Sequence, residues 1–174
     1  MTTAALVNSV LRFFLLLVAQ VFVFNQIAWG WSGKDYLFVF VYPLFVALLP
    51  MRTPRPLVIL LGFLLGISID FFSETLGLHA GALTFTAYCR PLILRLVQPR
   101  DGYSIKAYPT AADLGSGWMF RYLAFLLLAH LLAFFSLQTF SVLFLTDIII
   151  KTLLSLPASL LVLGALILIF NPRA

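Results

Sequence analysis

The chain has 174 residues, of which 63% are hydrophobic and only 10% charged, with a mean hydropathy of +1.09. A soluble domain carries roughly a quarter charged residues, so this composition excludes an ordinary water-soluble domain and specifies an integral membrane protein. The formal net charge of +5 therefore bears on orientation in the bilayer, not on nucleic-acid binding, and the single cysteine, Cys89, excludes an internal disulfide.

A helix needs about 20 mostly apolar residues to cross the ~30 Å hydrocarbon layer. The first such run covers 10–28. It is too long for a secretory signal, and no small-residue cleavage site follows it, so it reads as a retained helix. Trp29 to Asp35 form a turn with interfacial aromatics. The second run, 36–49, is short and stops at Pro50. Met51 to Pro56 break the chain. The third helix covers 57–72, and a turn over 73–76 leads to the fourth, 77–97. The longest polar stretch, 98–117, reads as the main loop, with Pro99, Pro109, Gly102, Gly115 and Gly117. The fifth helix covers 118–137 and the sixth lies within 141–170, bent near Pro157. The expected architecture is one all-α domain over 1–174, a bundle of six transmembrane helices.

With the N-terminus inside, the cytoplasmic ends hold Arg12, Arg52, Arg55, Arg90, Arg95, Arg100, Lys106, Arg121 and Arg173, while the other side keeps only Lys34 and Lys151. The positive-inside rule then places both termini in the cytoplasm. Arg52, Arg55, Arg90 and Arg95 are expected at the level of the lipid phosphates, a membrane-lipid contact.

Polar groups at membrane depth each need a reason. In the third helix Gly62, Gly66 and Asp70 follow at steps of four, with Glu74 one turn on. The fourth helix repeats small residues at Gly77 and Gly81, continued by Thr84 and Tyr88. Small faces let backbones approach, so the two helices are expected to form a tight hairpin with Asp70, Glu74 and His79 near its outer rim. Two readings stay open there: a polar site for a partner or ligand, or a carboxylate that ties the turn with His79 as its mate. In the sixth helix Asp147, Lys151, Ser155 and Ser159 form one polar stripe. Asp147 and Lys151 are placed to pair, and the stripe either faces the core or a partner helix, or is satisfied on its own helix. His130 and Gln20 read as hydrogen-bonded packing residues.

No metalloprotease, nucleophile-elbow or phosphate-loop pattern is present. Nothing has metal-ligand spacing on one helix face. The expectation is a protein with no catalytic residues, no metal and no cofactor.

Leu61-Gly62-Phe63-Leu64-Leu65-Gly66-Ile67-Ser68-Ile69-Asp70-Phe71-Phe72-Ser73, followed by Leu76-Gly77-Leu78-His79-Ala80, resembles the central signature of the bacterial rod shape-determining protein MreD family. Arg90-Pro91 and Pro99 to Tyr103 look like the Bacteroidetes version. The resemblance implies a scaffold in the inner membrane that binds the single-span protein MreC within the cell-elongation machinery for peptidoglycan. That machinery also includes RodA, a class B penicillin-binding transpeptidase and MreB. It further implies a fold similar to the six-helix substrate-binding components of energy-coupling-factor vitamin transporters. The Gly62/Gly66 face or the Ser155/Ser159 stripe would supply the groove for MreC, and Gly66→Leu is expected to weaken that complex without abolishing insertion. A substrate-binding component of a vitamin transporter is the competing reading. The first helix, 10–28, lacks the small-x-x-x-small pair that such components use for docking. A small membrane enzyme using Asp70, Glu74 and His79 is a further alternative.

Overall fold

In the computed structural model of this protein, residues 3–31, 33–75, 77–103, 108–139 and 144–170 are described. Leu76, Lys106, the start of the expected sixth helix at 141–143, and Arg173 lie outside them. In chain order the elements are α1 (Thr3–Phe22), a 3-10 turn (Phe24–Gln26), β1 (Ala28–Trp31), β2 (Lys34–Phe38) and α2 (Pro43–Leu48). They continue with α3 (Arg55–Ser73), α4 (Leu78–Leu96), α5 (Ala111–Leu114), α6 (Ser116–Thr139) and α7 (Leu145–Phe170). Four stretches are long and apolar enough to cross a membrane: Val7–Gln26, Arg55–Ser73, Ser116–Thr139 and Leu145–Ile169. The chain is thus a mostly helical, membrane-embedded protein. The helix α4 equals α3 in length, but Arg90 and Arg95 interrupt its apolar character.

The expected helices over 57–72, 77–97 and 118–137 form with small shifts of their ends. The first begins earlier, at Thr3, and gives way to the 3-10 turn where Gln20 and Asn25 turn toward other parts of the chain. The helix α7 runs unbroken through Pro157. The expected loop 98–117 contains α5, whose N-cap Thr110 accepts a hydrogen bond from the Asp113 amide at 3.3 Å.

The main correction concerns 36–49. No helix spans it. Tyr36 to Phe38 belong to β2, 39–42 run on outside any helix, and only Pro43–Leu48 are helical. Trp29 to Asp35 are correspondingly part of a β-hairpin, in which Ala28 faces Phe38 and Trp31 faces Lys34. Gly33 turns at φ 74°. Gly30 lies so close to the carbonyl of Lys34 that a β-carbon there would collide with it.

A non-helical backbone inside a bundle must find hydrogen-bond partners away from itself. Here side chains of α1 and α7 provide them. The amide of Phe38 donates to Ser155 Oγ at 3.0 Å and that of Phe40 to Ser159 Oγ at 3.0 Å. The amide of Val41 donates to Gln20 Oε1 at 2.9 Å, while Gln20 Nε2 donates to the carbonyl of Val39 at 3.2 Å. The segment is packed on all sides, with Val41, Tyr42, Val46 and Ala47 fully enclosed. Ser155 and Ser159 are therefore committed within the chain and present no groove to a partner.

The most extensive helix contact is α3 against α4, as the small residues of α3 predict. A β-carbon on Gly66 would lie 2.5 Å from Ala80 Cα and 2.6 Å from the carbonyl oxygen of His79. Gly62 faces Ala87 and Leu83. This face is buried against α4, so it is not open to MreC. The α4 side of the contact is Ala80, Leu83 and Ala87 in place of the expected Gly77, Gly81, Thr84 and Tyr88. Gly77 caps the helix, Gly81 faces Leu137 of α6, and Tyr88 is exposed.

Candidate functional site

The helix α3 ends at Ser73, and its C-cap Glu74 has a left-handed backbone at φ 55°. The helix α4 starts after Gly77, which has no side chain to cap it. Asp70, in the last turn of α3 and 3% exposed, reaches across and takes that role. Its Oδ1 accepts from the His79 amide at 3.0 Å and from Thr75 Oγ1 at 2.6 Å, and its Oδ2 accepts from the Ala80 amide at 2.8 Å. A carboxylate on the first free N–H groups of a helix is well placed for the helix dipole. Asp70 thus ties the turn, and it meets His79 through the main chain instead of the imidazole.

The His79 ring begins a separate chain of buried hydrogen bonds. Its Nδ1 lies 2.8 Å from the Tyr42 hydroxyl, and that hydroxyl lies 2.8 Å from His130 Nε2. His130 Nδ1 is 2.9 Å from Thr86 Oγ1, and Thr86 donates its own hydrogen to the carbonyl of Ala82 at 2.7 Å. The last bond sets the direction of the others. Thr86 has no hydrogen left, so His130 donates through Nδ1 and accepts from Tyr42 at Nε2. Tyr42 then accepts from His79 Nδ1–H. With both imidazoles in the neutral form on which this order rests, His79 Nε2 is left as an acceptor with no partner among the described residues.

That nitrogen belongs to a residue that lines a cavity of about 430 Å³ at the α3–α4 turn. Aromatic walls come from Phe24, Phe38, Phe40, Phe72 and Phe134. Polar groups come from Gln20, Asn25, Ser73, Glu74 and Gln138. Asn25 Nδ2 donates to Ser73 Oγ at 2.7 Å, and Gln20 Nε2 donates to Asn25 Oδ1 at 2.8 Å, so one wall is internally braced. Glu74 is exposed and sits on the rim. Of the expected trio, Asp70 and His79 are joined at the turn, while Glu74 shares only the cavity with His79.

The other end of the bundle holds a second buried polar group. Arg90, expected at the phosphate level, is instead 3% exposed. It donates to the carbonyl of Leu49, which ends α2, and through Nε to the Tyr122 hydroxyl at 3.1 Å. Tyr122 donates onward to the carbonyl of Ala47 at 3.2 Å and stacks on Trp118. A cation at the carbonyl end of a helix is favourable, so Arg90 closes α2.

Asp147 pairs with Lys34 of the hairpin at 3.5 Å, and not with Lys151. Lys151 donates to Gln138 Oε1 at 3.2 Å, with its ammonium 5.8 Å from the ring centres of Phe38 and Phe135. The arrival of β2 against α7 provides both alternatives. Among the described residues no cluster of three metal-binding side chains occurs.

Tyr42 and Thr86 were not singled out by their sequence context, because a Tyr in an apolar run and a Thr in a helix both pass as packing residues. Tyr42→Phe is expected to cost about 1–3 kcal/mol by leaving His79 and His130 unsatisfied. Chemical unfolding in detergent micelles measures this.

The fold and site together define a polytopic, mostly helical membrane protein with a braced hairpin, a buried imidazole–phenol chain and a polar cavity at the α3–α4 turn. No family model, curated protein or solved structure matches the chain.

Proposed function

We propose that this protein is a non-enzymatic membrane scaffold of the bacterial cell-elongation machinery, acting as an MreD-type protein in the inner membrane. It binds MreC laterally, within a larger assembly of RodA, a class B penicillin-binding transpeptidase and MreB. The chain crosses six times, with both termini cytoplasmic. The second crossing is the strand-plus-helix segment 36–49. Seven extended residues and six helical ones reach about 30 Å, enough for the hydrocarbon layer.

One observation carries the scaffold reading. The polar side chains of the bundle turn inward onto its own backbone, and the outward surface is apolar. A groove of about 770 Å³ opens between α4 and α6 on that surface. Its lining includes the small residues Gly81, Cys89, Ala129, Ala133 and Ser136 beside larger apolar ones. Small residues let a neighbouring transmembrane helix come close. The groove replaces the Gly62/Gly66 face and the Ser155/Ser159 stripe as the seat for MreC.

A β-carbon at Gly81 meets only the tip of Leu137, so a larger side chain there fills the groove without disturbing the backbone. Gly81→Leu with Ala133→Leu is expected to lower co-purification with MreC about tenfold while the thermal transition is retained. Wild-type yield of MreC from this variant would overturn the groove. Deletion of the gene with no change in rod shape would overturn the cellular role.

The second reading, a substrate-binding component of a vitamin-type transporter, is favoured by the cavity at the α3–α4 turn. A vitamin that co-purifies in stoichiometric amount supports it.

A further inference from the structure

We propose that the cavity at the α3–α4 turn is a binding site for a small aromatic amine, a ligand with a flat apolar body, a ring N–H and an ammonium group. The site stands apart from MreC binding, and neither result decides the other.

Three features define the ligand. The first is the deep acceptor. His79 is 4% exposed, lines the cavity and keeps Nε2 unpartnered because the Tyr42–His130–Thr86 chain uses its Nδ1 hydrogen. The atom is not sealed inside the protein but accessible at the cavity, where it offers a lone pair to a donor. The structure therefore favours an occupant that brings an N–H or O–H to this atom.

The second feature is the rim. Glu74 is the only charged residue that lines the cavity among the described residues. It also occupies a left-handed backbone conformation, the only non-glycine residue with positive φ among the described residues. That conformation is disfavoured for a residue with a β-carbon. A carboxylate on the rim of a cavity that no Lys or Arg lines among the described residues selects a cation. Lys151 stands behind Gln138 and does not line the space. The nearby Asp70 cannot serve the ligand in the same way, since both its oxygens are engaged by the turn.

The third feature is the aromatic lining. Phe24, Phe38, Phe40, Phe72 and Phe134 line the space, and aromatic rings suit a flat aromatic body and a cation near it. The volume of about 430 Å³ lies within the range of small-molecule sites. Two acceptors, the His79 imidazole and the Glu74 carboxylate, in one aromatic-lined cavity suit a molecule that carries two donors.

Tryptamine has this pattern: an indole N–H for His79 and an ammonium for Glu74. Radiolabelled tryptamine is equilibrated with the full-length protein in lipid nanodiscs, and empty nanodiscs correct for partitioning. Saturable binding at one site per chain is expected. 1-Methyltryptamine, which lacks the ring N–H, is expected to bind about tenfold more weakly, and indole-3-acetate, which reverses the charge, more weakly still. Glu74→Gln, at an exposed position that tolerates the change, is expected to weaken tryptamine about tenfold and to narrow its advantage over indole-3-acetate. Binding no greater than to empty nanodiscs overturns the proposal. So does equal affinity for the three probes, or undiminished affinity in the Glu74→Gln protein.

Discussion

Gly66→Ala is expected to destabilise the folded bundle by roughly 3 kcal/mol or more, the upper end for an overpacked interior. The reason is geometric. The added carbon falls 2.5 Å from Ala80 Cα, 2.6 Å from the His79 carbonyl oxygen and 2.7 Å from the Ala80 nitrogen. All three are main-chain atoms, so no side chain can rotate away. The helices α3 and α4 must separate, and separation draws Asp70 off the amides of His79 and Ala80. Gly62→Ala is the control. Its new carbon meets Ala87 and Leu83 at 3.4 Å, nearly ordinary contact, so its effect is expected to be well under half as large. Unfolding of both variants in the same detergent measures the difference. Equal effects would show that the two helices do not meet at Gly66. The same geometry changes what Gly66→Leu would report: a loss of folding, with any loss of partner binding following from it.

Asp70→Ala is expected to cost about 3 kcal/mol, because two helix-start amides and the Thr75 hydroxyl lose their acceptor together. Asp70→Asn keeps one oxygen acceptor and replaces the other by an N–H₂ that faces a donor, so a cost of about 2 kcal/mol is expected. The order Ala worse than Asn worse than wild type, in unfolding and in amide-exchange protection at His79 and Ala80, tests the assignment. Protection at these amides that survives Asp70→Ala would contradict it.

The hairpin of α3 and α4 was legible because its causes are local. Steps of four at Gly62, Gly66 and Asp70 put small residues and a carboxylate on one face, and a turn of a few residues keeps the next helix beside it. The polar stripe on α7 was visible, but its destination was not. Ser155 bonds to Phe38 and Ser159 to Phe40 across more than a hundred residues, and nothing in the stripe names a strand as its partner. The pairing of Asp147 with Lys34 escaped for the same reason.

The reading of 36–49 as a helix followed hydrophobicity alone. Two signals pointed the other way. The run is about six residues short of a helical crossing, and Tyr36, Phe38, Val39, Phe40, Val41 and Tyr42 are aromatic or β-branched, the residues that favour extended chain. Arg90 was misplaced because basic side chains near a helix end usually reach the interface. Here the carbonyl end of α2 lies inside the bundle and draws the guanidinium in. The cavity at the turn was half legible. Glu74 and His79 were placed near one another, while the free imidazole nitrogen depends on Tyr42, which no spacing pattern ties to either.

The extended segment also constrains the order in which the molecule matures. Its amides at Phe38 and Phe40 are synthesised more than a hundred residues before the serines that receive them. Until the last helix leaves the ribosome, this stretch has no acceptors for those hydrogens in the membrane interior. The nascent chain must therefore hold it at the wet interface or shield it in the insertion machinery. Completion of the C-terminal helix then becomes the step that draws it inside and locks the whole assembly.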